Sequence, residues 1–225
     1  MHTEKATDSS VSTEYHKITD VRFLTDETFV VRLERGDIEF KPGQHIIVGL
    51  KGELDLREYS VYSGEKDDYL EILVREVLRG NVSPRLKNCK PGDLLQVNGP
   101  FGSFGIEPYD LKGKLVFIAT GTGISPFHSF MRSYPGIEYT LIHGVRYKYE
   151  AYESNDYEPP RYILCTSKEI NGGRKGRVTK FLAGYPVKSD MLFYLCGNNS
   201  MIYEVYHILR NKGIPDENIF TEVYF

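Results

Sequence analysis

The segment KLVFIATGTGISPF, residues 114–127, gives the clearest indication of fold class in the sequence. It begins with a short apolar run, which is typical of a strand buried on both faces of a sheet. Two glycines and a proline follow, and residues 125–134, SPFHSFMRSY, form a helix candidate. A strand that passes through a glycine turn into a helix is the start of a βα unit, so this stretch predicts a parallel sheet.

The same pattern repeats towards the C-terminus. Further apolar runs are IEYTLIHGV (137–145), RYILCTS (161–167) and MLFYLCG (191–197), and further helix candidates are VTKFLAGY (178–185) and NSMIYEVYHILRNKG (199–213). The segment YESNDYEPPR, residues 152–161, has the composition of a polar loop. We therefore predict an α/β domain over residues 110–225, with a parallel, Rossmann-like sheet.

Residues 15–109 show short strand patterns separated by turn residues. The predicted strands are VRFL (21–24), TFVVRLE (28–34), GQHIIVGL (43–50), EYSVYS (58–63), YLEILVREV (69–77) and DLLQVNG (93–99). Strands at this spacing favour an antiparallel barrel or sandwich. One short helix is predicted at SPRLKN (83–88), with Ser83 as its N-cap.

The change of pattern near residues 106–113 divides the chain into two domains. Before them, residues 1–14 have the polar composition of a flexible tail. Since ligands often bind where two domains meet, we expect a site in the cleft between them.

Composition excludes several classes of protein. The 225 residues carry a formal net charge of -3, which provides no basic field for nucleic acid. The chain has no run of 18 apolar residues and no secretory signal, so we expect a cytoplasmic protein without a membrane segment. Its three cysteines, Cys89, Cys165 and Cys196, are too few and too scattered for a metal cluster or a disulfide framework, and no metal site is predicted.

Two loops have the residue types that bind phosphate. In ATGTGISPF (119–127), Gly121, Thr122 and Gly123 could bring a pyrophosphate close to the start of a helix. This is not the Rossmann fingerprint, because Pro126 replaces its third glycine, and a tight structural turn is an equal alternative. In RGNVSPRL (79–86), a phosphate-binding helix start and a plain N-cap are both open.

The segment REYS, residues 57–60, combines three chemical functions. Arg57 offers a guanidinium for an anion, Tyr59 offers a ring on which a flat heterocycle can stack, and Ser60 offers a hydroxyl for a ring nitrogen. Together with the G-x-x-S helix start, G-T-G-x-x-P-F, C-G-N and the C-terminal aromatic residues, this order of motifs resembles the ferredoxin–NADP(+) reductases. The resemblance is strongest to the bacterial flavodoxin/ferredoxin reductases and extends from about Tyr15 to Phe225.

The resemblance implies an N-terminal antiparallel β-barrel of the Greek-key type that binds FAD and a C-terminal α/β domain that binds NADP(H). It implies that Arg57 binds the FAD pyrophosphate, that Tyr59 and Tyr224 cover the two faces of the flavin, and that Phe225 lies against the adenine. The FAD-binding residues it implies are Arg57, Glu58, Tyr59, Ser60, Leu73, Val74, Arg75, Gly80, Asn81, Val82, Ser83, Tyr224 and Phe225.

The resemblance also implies the nicotinamide site and the catalytic residues. Catalysis would involve Ser60 at flavin N5, Cys196 beside the nicotinamide and Glu222 as a partner in proton transfer. The implied nicotinamide-binding residues are Gly121, Thr122, Gly123, Val145, Arg146, Ser167, Lys168, Arg177, Gly197, Asn198 and Asn199.

The cationic residues in this set favour NADPH, because a 2′-phosphate requires cations whereas NADH favours an acidic residue. We therefore expect a monomeric FAD-dependent NADPH oxidoreductase that exchanges electrons with a ferredoxin or flavodoxin. One alternative is an NADH-preferring reductase of flavin, cytochrome or an oxygenase system. Another is a flavin-bearing electron-transfer module without nicotinamide turnover.

Overall fold

The computed structural model describes residues 14–169 and 173–224, the last of these without its side chain. The first strand already begins at Glu14, the last residue of the predicted tail, and the rest of that tail lies outside the described residues. No helix among the described residues is long and apolar enough to cross a membrane.

The first half of the chain forms an antiparallel six-stranded sheet, as predicted. Its strands are β1 (Glu14–Phe23), β2 (Thr28–Glu34), β3 (His45–Leu50), β4 (Arg57–Ser60), β5 (Tyr69–Arg75) and β6 (Leu94–Phe101). They follow the order β4-β3-β6-β1-β2-β5, and a bridge between Val61 and Ile72 brings the end of β4 back to β5. This bridge closes the sheet into a barrel around an apolar core.

The strand β1 is much longer than the predicted VRFL. Residues 14–17 pair with β6, whereas the residues from Ile18 onwards pair with β2, with a register shift between Ile18 and Asp20. A strand that changes partners at a bulge bends around the barrel, and its alternating burial is interrupted there. That interruption hides the first half of β1 from a search for regular alternation.

The short helix α1 (Ser83–Lys87) corrects the predicted cap. Ser83 is the first helical residue rather than the N-cap, and its hydroxyl accepts a hydrogen bond from the Val77 N–H at 2.9 Å. The N-cap is Val82, which caps no backbone group with its side chain. The free N–H groups at the start of α1 therefore have no side-chain acceptor of this kind.

The second half of the chain forms the predicted parallel sheet. Its strands are β7 (Lys114–Thr120), β8 (Tyr139–Val145), β9 (Tyr162–Thr166), β10 (Arg174–Lys175), β11 (Met191–Asn198) and β12 (Ile219–Tyr224), and its helices are α2 (Ser125–Ser133), α3 (Val178–Gly184) and α4 (Asn199–Asn211). The strand order is β10-β9-β8-β7-β11-β12, and every adjacent pair is parallel. Because the order reverses between β7 and β11, a crevice is expected at their carboxyl ends.

The apolar run in β7 is explained by burial on both faces. Phe117 lies in a core with Phe127 and Phe130 of α2, whereas Val116 and Ile118 lie in a second core with residues of α3 and α4. A strand covered by helices on both sides has no polar face, so its sequence shows no alternation.

The helix α2 also joins the two domains. The Ser125 and Ser129 hydroxyls donate to the carbonyl oxygens of Ser60 and Ser63, at 3.2 and 2.7 Å. A ring nitrogen of His128 lies 2.7 Å from the carbonyl oxygen of Tyr62. These bonds connect one face of α2 to the barrel segment that follows β4.

The segment 152–161 is more than the predicted polar loop. Tyr152 and Tyr157 are buried in the core that surrounds α2. Glu153 accepts a 2.6 Å hydrogen bond from the Tyr62 hydroxyl and forms an ion pair with Arg22, both in the barrel. The Glu, Ser, Asn, Asp and Arg residues make the segment look polar in sequence, although the rings of its two tyrosines are largely apolar.

Candidate functional site

The three predicted catalytic residues lie together where the barrel meets the parallel sheet. The parallel pairing of β11 with β12 places Cys196 opposite Glu222. The Ser60 hydroxyl, at the end of β4, donates a hydrogen bond to Glu222 Oε2 at 3.4 Å. Ser60 and Cys196 are buried, so the barrel and the parallel sheet contribute jointly to one enclosed group of side chains.

The carboxyl group of Glu222 is set up to exchange a proton near neutral pH. Burial raises the pKa of Glu222 from 4.5 to about 7, Ser60 opposes the rise, and the negative charge of Glu58 adds to it. On the other side of the carboxyl group, His45 Nδ1 lies 3.7 Å from Glu222 Oε1. His45 was not predicted as a site residue, and no local pattern connects it with a glutamate near the C-terminus.

The strand β4 presents two different faces. Because side chains alternate along a strand, Arg57 and Tyr59 share one face while Glu58 and Ser60 share the other. Tyr59 packs partly against the barrel core, and burial raises its pKa to about 12, so it remains a neutral phenol. Arg57 is exposed, and among the described residues its guanidinium bonds only to the carbonyl oxygen of Leu56.

The strand β5 and the loop after it contribute mainly backbone. Val74 is buried in the barrel core and Leu73 in the core that surrounds α2, so only their backbone groups are available to a ligand, whereas Asn81 is exposed. Gly80 donates its N–H to the Val77 carbonyl oxygen in a turn that leads to α1. An exposed guanidinium, a helix start without a side-chain cap and a half-exposed aromatic ring fit the phosphates and the flat ring system of FAD.

Two glycines at the crevice are required by close packing. A Cβ atom on Gly123 would lie 2.4 Å from the carbonyl oxygen of Cys196, and one on Gly197 would lie 2.4 Å from Thr120 Oγ1. Gly197 also has a φ of 131°, and the adjacent Asn198 N–H donates to Thr120 Oγ1 at 3.0 Å. Gly123 is therefore explained by the alternative of a tight structural turn, because it packs against β11.

A different role remains for the first glycine of this loop. Gly121 has a φ of 55°, and a Cβ atom placed on it would meet nothing within 4 Å. Gly121 and Thr122 both line a cavity of about 650 Å³ at the carboxyl ends of the parallel strands. That volume lies in the range of small-molecule and cofactor sites.

The cavity collects most of the residues predicted to bind the nicotinamide dinucleotide. The predicted residues that line it are Gly121, Thr122, Val145, Arg146, Ser167, Arg177, Gly197 and Asn198. Gly123, Lys168 and Asn199 do not line it. Arg75, predicted to bind FAD, lines this cavity and pairs with Glu27 at 3.1 Å. Lining residues that were not predicted include Gly144, Glu150, Tyr152, Cys165 and Glu204.

Glu150 is the most informative of the residues that were missed. Its carboxylate accepts hydrogen bonds from Arg146 Nε and Nη2, at 3.1 and 2.8 Å, and from the backbone N–H groups of Arg146 and Tyr147. Although burial alone raises the pKa of Glu150, these bonds hold it below its usual value. The signal was present in the sequence, because opposite charges four residues apart frequently pair.

Arg146 and Arg177 differ in how firmly they are held. Glu27 of the barrel also reaches Arg146 Nη2, at 3.5 Å, so two carboxylates share that guanidinium. Arg177, at the start of α3, is exposed and has no ion-pair partner among residues 14–169 and 173–224.

The C-terminal aromatic prediction is only partly described. The backbone of Tyr224 ends β12, in register with Asn198 of β11. The Tyr224 side chain and Phe225 lie outside the described residues, so their contacts with FAD stay predictions.

Two family models match the chain. The oxidoreductase FAD-binding domain matches residues 17–106, and the oxidoreductase NAD-binding domain matches residues 117–207. The chain is 30% identical over 234 residues to a flavodoxin/ferredoxin–NADP reductase of Rhodobacter capsulatus. The aligned region covers 88% of this chain and 86% of that relative. It is 28% identical over 224 residues to the toluate 1,2-dioxygenase electron transfer component of Pseudomonas putida. That alignment covers 92% of this chain and 66% of the relative.

Solved structures share the fold over nearly the whole chain. A ferredoxin NADP+ reductase from Neisseria gonorrhoeae with bound FAD and NADP has a TM-score of 0.83 at 24% identity, covering 95% of this chain and 99% of that chain. The ferredoxin reductase in carbazole 1,9a-dioxygenase has a TM-score of 0.84 at 23% identity, covering 95% and 70%. One FAD-binding and one NAD(P)-binding domain therefore account for the two sheets.

Proposed function

The chain belongs to the ferredoxin–NADP(+) reductase family, and we propose that it is a monomeric, FAD-dependent NADPH oxidoreductase that exchanges single electrons with a ferredoxin or flavodoxin. The observation that carries the proposal is the meeting of Ser60, Glu222 and Cys196 in the cleft, beside a cavity lined by the glycine loop. When bound, FAD supplies a hydride acceptor at N5 and releases electrons one at a time.

The residues of the cleft position the reactants and handle a proton. Tyr59 provides a flat face for the flavin, and Arg57 provides a cation for its pyrophosphate. The Ser60 hydroxyl is hydrogen-bonded to Glu222, whose raised pKa lets it hold a proton or release it near pH 7. Cys196, on β11, lies in register with Glu222 of β12 and shapes the nicotinamide side of the cleft.

The charges around the cavity support NADPH as the electron donor. Arg146 and Arg177 line the cavity, and the exposed Lys168 lies on the loop after β9. Forked guanidinium groups match the geometry of a 2′-phosphate, and Arg177, for which the described residues provide no ion-pair partner, breaks none of their ion pairs to bind one. Lys168 attracts phosphate as a point charge and loses the bidentate fork of an arginine.

A second candidate is an NADH-dependent reductase that serves an oxygenase or a similar acceptor. The carboxylates of Glu150 and Glu204 line the same cavity, and acidic residues there favour the hydroxyls of a ribose. The likeness to the Pseudomonas putida toluate dioxygenase component adds to this candidate. Glu150 already uses its oxygens on Arg146 and the backbone, and for that reason we rank NADPH first.

The decisive experiment combines spectroscopy with rapid kinetics. The purified protein is expected to show a flavin absorption spectrum, and the released flavin is expected to be FAD. Mixing with NADPH in a stopped-flow instrument should bleach the flavin faster than mixing with NADH at the same concentration. Faster bleaching by NADH would favour the second candidate, and a flavin that neither nucleotide reduces would mean an electron-transfer module without nicotinamide turnover.

The acceptor and the monomeric state need separate measurements. Reduced ferredoxin or flavodoxin should form when NADPH is supplied together with catalytic amounts of the protein. Light scattering behind a sizing column should give a mass near the 25.8 kDa of one chain. A reductase that reduces neither carrier, or that runs as a dimer, would contradict the corresponding part of the proposal.

A further inference from the structure

A polar pair, the buried His143 and the partly buried Tyr162, lies beneath the glycine loop. His143, in β8, is fully buried, and its Nε2 lies 2.9 Å from the carbonyl oxygen of Gly121. Its Nδ1 lies 2.9 Å from the hydroxyl group of Tyr162, at the start of the neighbouring strand β9. The pair therefore connects two strands of the sheet to one peptide of the loop.

The chemistry of these groups fixes where the protons lie. A carbonyl oxygen can only accept, so His143 Nε2 must carry a proton. Burial lowers the pKa of His143 to about 4, so the ring is neutral at physiological pH and Nδ1 has a free lone pair. The Tyr162 hydroxyl then donates to Nδ1, which selects the tautomer that holds Gly121.

Holding this carbonyl oxygen also sets the direction of a donor. In a trans peptide the C=O and the N–H point in opposite directions, so the Thr122 N–H points away from His143. Thr122 is the second residue of the 3₁₀ turn Gly121–Ile124, where the first N–H groups have no acceptor inside the turn. Thr122 itself lines the cavity.

We propose that His143 and Tyr162 are positioning residues that hold the Gly121–Thr122 peptide with its N–H directed at the dinucleotide. The left-handed φ of 55° at Gly121 lets the loop adopt this orientation, and the polar pair keeps it there. The inference rests on the proposed function only in assuming that a nicotinamide dinucleotide occupies the cavity.

Three variants separate positioning from packing. His143→Leu removes both hydrogen bonds, Tyr162→Phe removes only the hydroxyl that selects the tautomer, and His143→Gln restores an amide donor towards Gly121. Tyr139→Phe is the matched control, because Tyr139 lies on the same strand and its hydroxyl accepts a hydrogen bond from the Glu158 N–H, at 3.2 Å. It deletes a hydroxyl of the same kind far from the loop.

The readout is the affinity of the FAD-loaded protein for a whole dinucleotide and for a fragment of it, measured by calorimetry. His143→Leu should weaken NADP+ roughly tenfold, the effect of one lost hydrogen bond, and Tyr162→Phe should weaken it less. Both variants should leave the affinity for 2′-AMP, which lacks the pyrophosphate, unchanged within about twofold, because the arginines bind its phosphate. His143→Gln should recover most of the NADP+ affinity, and Tyr139→Phe should change neither ligand.

Equal weakening of NADP+ and 2′-AMP would show that the pair only supports packing, and unchanged NADP+ binding in Tyr162→Phe and His143→Leu would overturn the inference. If the unmodified protein binds NAD+ in preference to NADP+, the proposed NADPH preference fails by itself. The same comparison with NAD+ and adenosine, which carries no phosphate, then tests the positioning pair independently.

Discussion

Replacing Glu222 by glutamine keeps the size of the side chain and removes its charge. In the folded protein, burial raises the pKa of this carboxyl group from 4.5 to about 7, and its side chain is only 17% exposed. At 1.36 kcal/mol per pH unit, the difference corresponds to about 3 kcal/mol between the protonated and the ionised forms. The magnitude is large enough to measure in a protein of this size.

The direction of the pH dependence of the unfolding free energy follows from which state, folded or unfolded, binds the Glu222 proton more tightly. Between pH 4.5 and about 7 the folded protein retains the Glu222 proton while the unfolded chain loses it. The contribution of this group is therefore fully present below pH 4.5 and is lost as the pH rises through about 7. The wild type should lose up to about 3 kcal/mol of unfolding free energy over that range relative to Glu222→Gln.

The assay is urea denaturation of the FAD-loaded protein at a series of pH values, with Glu58→Gln as the matched control. Glu58 is exposed and only adds to the shift, so its variant should retain most of the pH dependence. In parallel, the rate of flavin reduction by NADPH should change near pH 7 in the wild type and lose that inflection in Glu222→Gln. Parallel stability curves for wild type and Glu222→Gln would contradict a raised pKa of Glu222, because the carboxyl group would then be ionised in the folded protein over this pH range.

Three further changes test other parts of the site. Arg177→Ala should raise the dissociation constant of NADPH roughly tenfold and leave that of NADH nearly unchanged, as measured by nucleotide titration; equal effects on both would contradict a role at the 2′-phosphate. Glu150→Gln should lower the unfolding free energy by about 2 kcal/mol in urea and raise the KM for NADPH, because Arg146 loses a buried charged partner. Unchanged values would mean that Arg146 is positioned by other contacts. Ser129→Ala should lower the unfolding free energy by about 1 kcal/mol, or the Tm by about 2–4 °C, because it deletes a buried hydrogen bond between the domains. An unchanged Tm in calorimetry would mean that this hydrogen bond does not stabilise the protein.

The fold was predictable where burial is uniform. The run around Phe117 is apolar because helices cover both faces of β7. Such a run can be recognised as a buried strand from its own sequence, without knowledge of the neighbouring strands. Strands whose partners change were harder to predict. The first half of β1 pairs with β6 and the second half with β2, with a register shift near Ile18, and the two-residue β10 is too short to show any period.

The site was less predictable because its residues come from distant segments. Nothing local connects Ser60 with Glu222, and only the resemblance to a family placed them together. His45 was missed because its approach to Glu222 depends on how the barrel meets β12. Glu150 was different, since its spacing from Arg146 is a local signal that could have been used.

One helix couples the parts of the site that belong to different domains. α2 begins directly after the glycine loop, and its Ser125 donates to the carbonyl oxygen of Ser60. His128 and Ser129 form hydrogen bonds to the backbone carbonyl oxygens of Tyr62 and Ser63 in the barrel. A shift of α2 would therefore act on Thr122 and Ser60 together, whereas Glu222 is placed by β12, at the edge of the parallel sheet. The Ser60 hydroxyl bond to Glu222, which spans these two units, is accordingly the distance most sensitive to how the domains are joined.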